Sequence, residues 1–157
     1  MNLELTTHIR ATLRDEWGNV IDERDTTNFF TEQGEAYIAD RLSDRNETDG
    51  DIDAMGVGTG SGRNRTSTTL ANEVYRNTSA LTPTQGTTTD DNDAIWTMTV
   101  PSGSPAAGSW LLTEGGLFSK MTTGTGTLIN YFEFNPGIQK DSAQALTITV
   151  TITVGLS

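Results

Sequence analysis

Three carboxylates at alternate positions, Asp49, Asp51 and Asp53, have the residue type and spacing that could hold a hard cation in this 157-residue chain. Calcium takes several oxygen ligands at such spacing. The stretch departs from a helix–loop–helix calcium loop in two places: Ala54 stands where a glycine must follow the third ligand, and Gly60 where the closing glutamate belongs. Asp90-Asp91-Asn92-Asp93 is a second acidic cluster with oxygen ligands of the same kind. In an acidic chain both runs read better as solvated surface than as metal sites. His8 is the only histidine and there is no cysteine, so neither a histidine-based triad nor a thiolate site is written here. Gly56 to Gly62, GVGTGSG, lacks the Gly-Lys-Ser/Thr ending of a phosphate-binding loop and reads as a strand end and turn. The sequons at Asn46, Asn64 and Asn77 are what a chain rich in Asn, Ser and Thr produces by chance. Trp17, Trp96, Trp110, Tyr131, Phe132 and Phe134 could line a sugar-binding face, with Trp96 and Trp110 the candidate glycan contacts, although such residues more often fill a core. No catalytic set, metal centre or cofactor is expected.

Composition narrows the classes further. Twenty-one Asp and Glu face ten Lys and Arg, for a net charge of −11, and Lys120 and Lys140 are the only lysines. Phosphate binding needs clustered cations, so nucleic acid is excluded as an expected partner. An acidic surface almost free of lysine stays hydrated in concentrated salt, where its self-repulsion is screened, and this balance reads as adaptation to high salt. MNLELTTHIR has no apolar run, so no export signal is expected, and no stretch is long and apolar enough to insert in a membrane.

The elements that must position any site are mostly strands. Leu146 to Val154, LTITVTITV, alternates aliphatic and Thr residues without error and predicts a half-buried strand inside a sheet. Leu3 to Leu13 alternates likewise, and Gly18-Asn19 tips a hairpin whose return strand, Val20-Ile21, ends in the charged run Asp22 to Asp25. Glu32 to Leu42 predicts the one helix, capped by Thr31, with acids in its first turns and Ile38 and Leu42 on its apolar stripe. Ser61 to Thr69 reads as a flexible polar loop, and Leu70 to Arg76 is ambiguous between a helical turn and an extended segment. Further strands are expected at Ile52 to Gly60, near Thr78 to Thr82, at Ile95 to Val100, at Trp110 to Glu114 and at Gly126 to Phe134, with Pro136-Gly137 turning into the last strand. The sum is one mainly β domain over residues 1–157: an N-terminal hairpin at 1–27, the helix within 28–43 and the main strands over 52–157. It is an antiparallel, jelly-roll-like β-sandwich of about seven to nine strands with one short α-helix.

In this order the motifs NFFTEQGEAYIADRL, MGVGTGSG, TTLANEVYR, LTEGGLFS, GTLINYFEFNPGIQK and ALTITVTITVG resemble a family of small tail or tail-fibre structural proteins of tailed viruses. The resemblance runs from Asn28 to the end; the acidic stretch around Asn46 to Asp51 and the N-terminal hairpin lie outside it. It implies a non-enzymatic, homo-oligomeric virion component, a trimer or pentamer, that contacts other virion proteins. Such a protein is assembled in the host cytoplasm and carried in a tail fibre, baseplate, capsid turret or decoration. With the acidic surface, the host would be a halophilic archaeon. The alternative expectation is a carbohydrate-binding or adhesin sandwich that meets host surface glycans through Trp96 and Trp110. Glu73 and Arg76 are close enough to pair, and Glu114 to Phe118, EGGLF, is expected to join two strands through its glycines.

Overall fold

A computed structural model describes residues 2–43, 50–86 and 92–156. Ten strands and one helix follow in the order β1 (Leu3–Arg14), β2 (Val20–Thr26), β3 (Asn28–Phe30), α1 (Glu32–Leu42), β4 (Ala54–Gly58), β5 (Glu73–Arg76), β6 (Thr84–Gln85), β7 (Asp93–Val100), β8 (Ser109–Phe118), β9 (Leu128–Asp141) and β10 (Ala145–Leu156). They form two antiparallel five-stranded sheets, ordered β2-β1-β10-β7-β6 and β3-β9-β8-β4-β5, which is a β-sandwich. The strand count is one above the upper expectation.

The alternating strand β10 lies at the centre of its sheet, paired with β1 along one side and β7 along the other. Its Leu146, Ile148 and Val150 are fully buried, and they meet Ile9, Met55, Val57, Leu117, Phe132 and others in one core between the sheets. The hairpin forms as the sequence indicates: Asp15 Oδ1 accepts the N–H groups of Trp17 and Asn19 at 3.0 and 2.8 Å, and Gly18 takes φ +87°. The charged run does not end β2, contrary to expectation. Arg10 on β1 donates to Asp25 at 3.1 Å and approaches Glu23 at 3.9 Å, so the charges pair across the solvent face of the ladder.

Thr31 caps α1, its Oγ1 accepting from Gly34 N at 2.9 Å. The buried side of the helix is Gly34 and Tyr37; Leu42, expected on the stripe, is 73 % exposed. A Cβ at Gly34 would lie 1.9 Å from the Ile129 carbonyl oxygen, so only glycine lets this turn lie against the β9 backbone.

One ambiguity is settled and three other expectations are corrected. The segment Leu70 to Arg76 resolves into β5, confined to Glu73–Arg76. No strand forms at Thr78 to Thr82; the edge strand comes later, as Thr84–Gln85. Glu114 to Phe118 is not a link but the second half of β8, and β9 runs straight through Pro136-Gly137. The turn into β10 is instead Ser142 to Gln144, closed by Asp141 Oδ1 accepting Ala143 N at 2.9 Å. Among the described residues no helix is long and apolar enough to cross a membrane.

Candidate functional site

The residues singled out from sequence meet in part. Where α1 crosses one end of the sandwich, an open cleft of about 500 Å³ is lined by Tyr37, Arg41, Asp51, Asp53, Leu81 and Trp96. Tyr37 Oη donates to the Gly50 carbonyl at 2.6 Å. Arg41 also donates to that carbonyl, lies 5.1 Å above the Tyr37 ring and reaches Asp51 Oδ1 at 3.2 Å. Trp96 is only 6 % exposed and its indole N–H is held by the Ile52 carbonyl at 2.8 Å, so little of the ring is open to the cleft. Asp51 faces solvent with 87 % of its side chain, whereas Asp53 Oδ1 is buried without a hydrogen-bond partner. Two carboxylates so differently placed do not make a cation cage, and among the described residues no three His, Cys, Asp or Glu converge to hold a metal. Asp49 and the Asp90-Asp91 pair lie outside the described residues.

Trp110 is not brought to this cleft. It stands on β8 of the other sheet, cross-strand from Lys140, half-buried against the core. The two tryptophans therefore do not form one sugar-stacking face. Arg41 was not singled out from sequence; its i, i+4 spacing from Tyr37, which borders the apolar stripe of a capped helix, was the available signal. His8 is a surface residue, its Nε2 3.0 Å from Asp25 Oδ1. Beside it, hydrogen bonding from Arg10 holds the Asp25 carboxyl below its usual range.

The second locus is one that sequence reasoning missed. Glu114 on β8 is fully buried and accepts backbone N–H groups from Gly60, Ala71 and Asn72 at 3.2, 2.9 and 2.7 Å, with the Tyr131 hydroxyl at 3.1 Å. Glu133, its cross-strand neighbour, accepts from Gly62 N at 2.7 Å and shares the single proton of the same hydroxyl, at 2.8 Å. The β4–β5 connection is thus not a free polar loop. It folds over the outer face of its sheet, and Leu70 closes a small apolar cluster with Ala54, Phe118, Leu128 and Tyr131. The glycines make room for it: a Cβ at Gly58 would lie 2.5 Å from both the Asn72 carbonyl and Glu114 Oε1. Two neighbouring carboxylates invite a hydrolase reading. Glu114, however, has no exposed surface and both its oxygens are already engaged, so this pair is built to hold a loop.

Burial, with the hydrogen bond to Glu133 and the charge of Glu114 behind it, raises the Tyr131 hydroxyl well above the ordinary tyrosine value of 10.0. The unfolded chain then releases this proton above about pH 10 while the folded chain keeps it, so stability falls as pH rises through that range. Alkaline titration of the unfolding free energy is expected to slope downward above pH 10, and Tyr131→Phe should flatten that slope. An equal slope in the variant would refute the assignment.

Two further charged groups serve as internal fasteners. Arg76, with 1 % of its side chain exposed, pairs with Glu73 at 2.6 Å, lies 3.6 Å over the Phe118 ring and shares the two hydrogens of Nη1 among the carbonyls of Lys120, Thr122 and Thr125. Lys140 is fully buried and donates to the carbonyls of Pro101, Ser104 and Asp141, and burial lowers its pKa. No protein-family model, curated protein or solved structure matches the chain.

Proposed function

We propose that this chain is a non-enzymatic structural protein of a tailed-virus particle, a homo-oligomeric component of tail or capsid adapted to high salt. The observation that carries the reading is where the motifs behind the resemblance converge. MGVGTGSG, TTLANEVYR, LTEGGLFS and GTLINYFEFN supply Gly58, Gly60, Asn72, Arg76, Glu114, Tyr131 and Glu133, and those residues lock two long connections onto one sheet. What the motifs encode is a rigid scaffold with its charged groups turned inward, as a building block requires and a catalyst does not. The high-salt part gains support from Lys140: with that side chain buried, Lys120 is the only lysine left on the surface.

Proteomic analysis of virus particles purified in molar salt from the host culture tests the reading. The expected result is this chain as a multicopy component; its absence from intact particles would overturn the proposal. A glycan-binding role is favoured by one feature, the cleft lined by Arg41, Asp51 and Trp96. Trp96 belongs to the core, so Arg41→Ala and Asp51→Ala are the cleaner probes of that role.

A further inference from the structure

The five-stranded sheet of β10 is guarded on one side and bare on the other. The outer strand β2 carries Asp22, Glu23, Arg24 and Asp25, the charged kind of edge that resists pairing with another chain. In the other sheet, β3 has three residues and β5 four, with both charges of β5 engaged. On the open side of β7, among the described residues, β6 pairs only with Ala94 and Ile95. Gly86 N donates to the Asp93 carbonyl and Val154 N to that of Asn92, which fixes the alternation: residues 93, 95, 97 and 99 point their backbone groups away from β10. Thr97 and Thr99 are exposed and, among the described residues, have no strand opposite them. Among the described residues, two N–H and two C=O groups therefore form an unpaired row.

The same place is free of charge in a chain of net charge −11. No Asp, Glu, Lys or Arg occurs from Ala94 to Thr113, nor from Ser142 to Ser157. These stretches are neighbours in space: β7 pairs with β10, and Gly103 N in the loop after β7 donates to the Ser142 carbonyl at 2.7 Å. That loop is pinned from below by Lys140, whose charge is sealed inside. A copy with the same acidic surface can meet this strip without desolvating a carboxylate or placing like charges together.

We propose that two copies of this chain pair antiparallel through β7 about a two-fold axis at Met98, joining their sheets into one of ten strands. Thr97 then exchanges both backbone bonds with the partner subunit's Thr99, and Thr99 with the partner's Thr97, so every group in the bare row is satisfied. The pairing is self-complementary, which a single neutral edge requires of an identical partner. It deepens and rests on the assembly reading above, and it makes the unit an even-numbered assembly in place of the expected trimer or pentamer.

The test compares the full chain with Thr99→Pro and Thr149→Lys in molar KCl, by light scattering behind a sizing column. Thr99→Pro removes an N–H that no intramolecular ladder uses, and is expected to weaken association about a hundredfold. Thr149→Lys lies on the solvent face of β10 and should leave the mass unchanged. Amide exchange on the unmodified chain needs no variant: Thr97 and Thr99 should be protected in the oligomer and lose protection on dilution to monomer. An oligomer that survives Thr99→Pro, with Thr97 and Thr99 amides still exchanging freely, would overturn the edge pairing and leave assembly standing. Mass loss on Thr149→Lys alone would move the interface to the sheet face. A full chain that is monomeric at every concentration would overturn both readings.

Discussion

Replacing Glu114 with alanine should lower the unfolding free energy by about 3–5 kcal/mol, the range found when one partner of a buried charged network is removed. The carboxylate accepts three backbone N–H groups, which have no other acceptor on hand, and the Tyr131 hydroxyl, which could turn wholly to Glu133. A buried donor left unpaired costs about 1–3 kcal/mol, and water entering the void recovers part of the total. Glu114→Gln keeps the shape but turns an NH2 group toward donors, so it should recover only a fraction. In a chain of this size the alanine variant should melt about 10 °C lower. Denaturant unfolding in molar salt checks the magnitude, and amide exchange at Gly60, Ala71 and Asn72 checks the cause, since those N–H groups should lose protection ahead of global unfolding. A loss below about 1 kcal/mol would show that the loop is held by Leu70 and its apolar neighbours instead.

Arg76→Ala should be as damaging, about 3–5 kcal/mol, because it strands Glu73 with 8 % side-chain exposure and frees three carbonyls of the β8–β9 connection. The informative comparison is Arg76→Lys. Lysine keeps the charge, but it has three donors on one nitrogen, whereas the guanidinium serves Glu73 with Nε and Nη2 and the carbonyls with Nη1. Lysine also gives up the planar stack over Phe118. The expected result is that lysine recovers less than half of the loss. The same unfolding measurement decides it, and a lysine variant as stable as the parent would mean that charge alone suffices here.

Much of the fold was legible because local pattern and tertiary role agree. Thr31 before two early glutamates gave the helix start, strict alternation gave β10, and Asp15 with Gly18 gave the first turn. The errors have a common cause: residues that usually break a strand stand inside one where packing leaves no room or the ladder is already irregular. Gly115 lies mid-strand because a Cβ there would sit 2.4 Å from the Phe132 ring. Pro136-Gly137 fills an irregular stretch of β9 between the pairs Glu114↔Glu133 and Leu112↔Ile138. Asp22 to Asp25 continue β2 because β1 offers Arg10 and His8 to Glu23 and Asp25, while Asp22 pairs with Arg24 on the same strand.

The candidate sites were less legible. Asp51, Asp53 and Trp96 do share a cleft, but Trp110 belongs to another part of the sandwich, and nothing local in sequence encodes that separation. Glu114 was hidden for the opposite reason: its ligands come from a connection more than forty positions earlier in the chain. Only the run of glycines hinted that something had to fit there.

The central claim is that this chain is a self-assembling building block, and the mass of the unmodified protein in molar KCl tests it most directly. Light scattering behind a sizing column, repeated across a concentration series, should give one discrete, even-numbered oligomer. A monomer at every concentration would contradict the account.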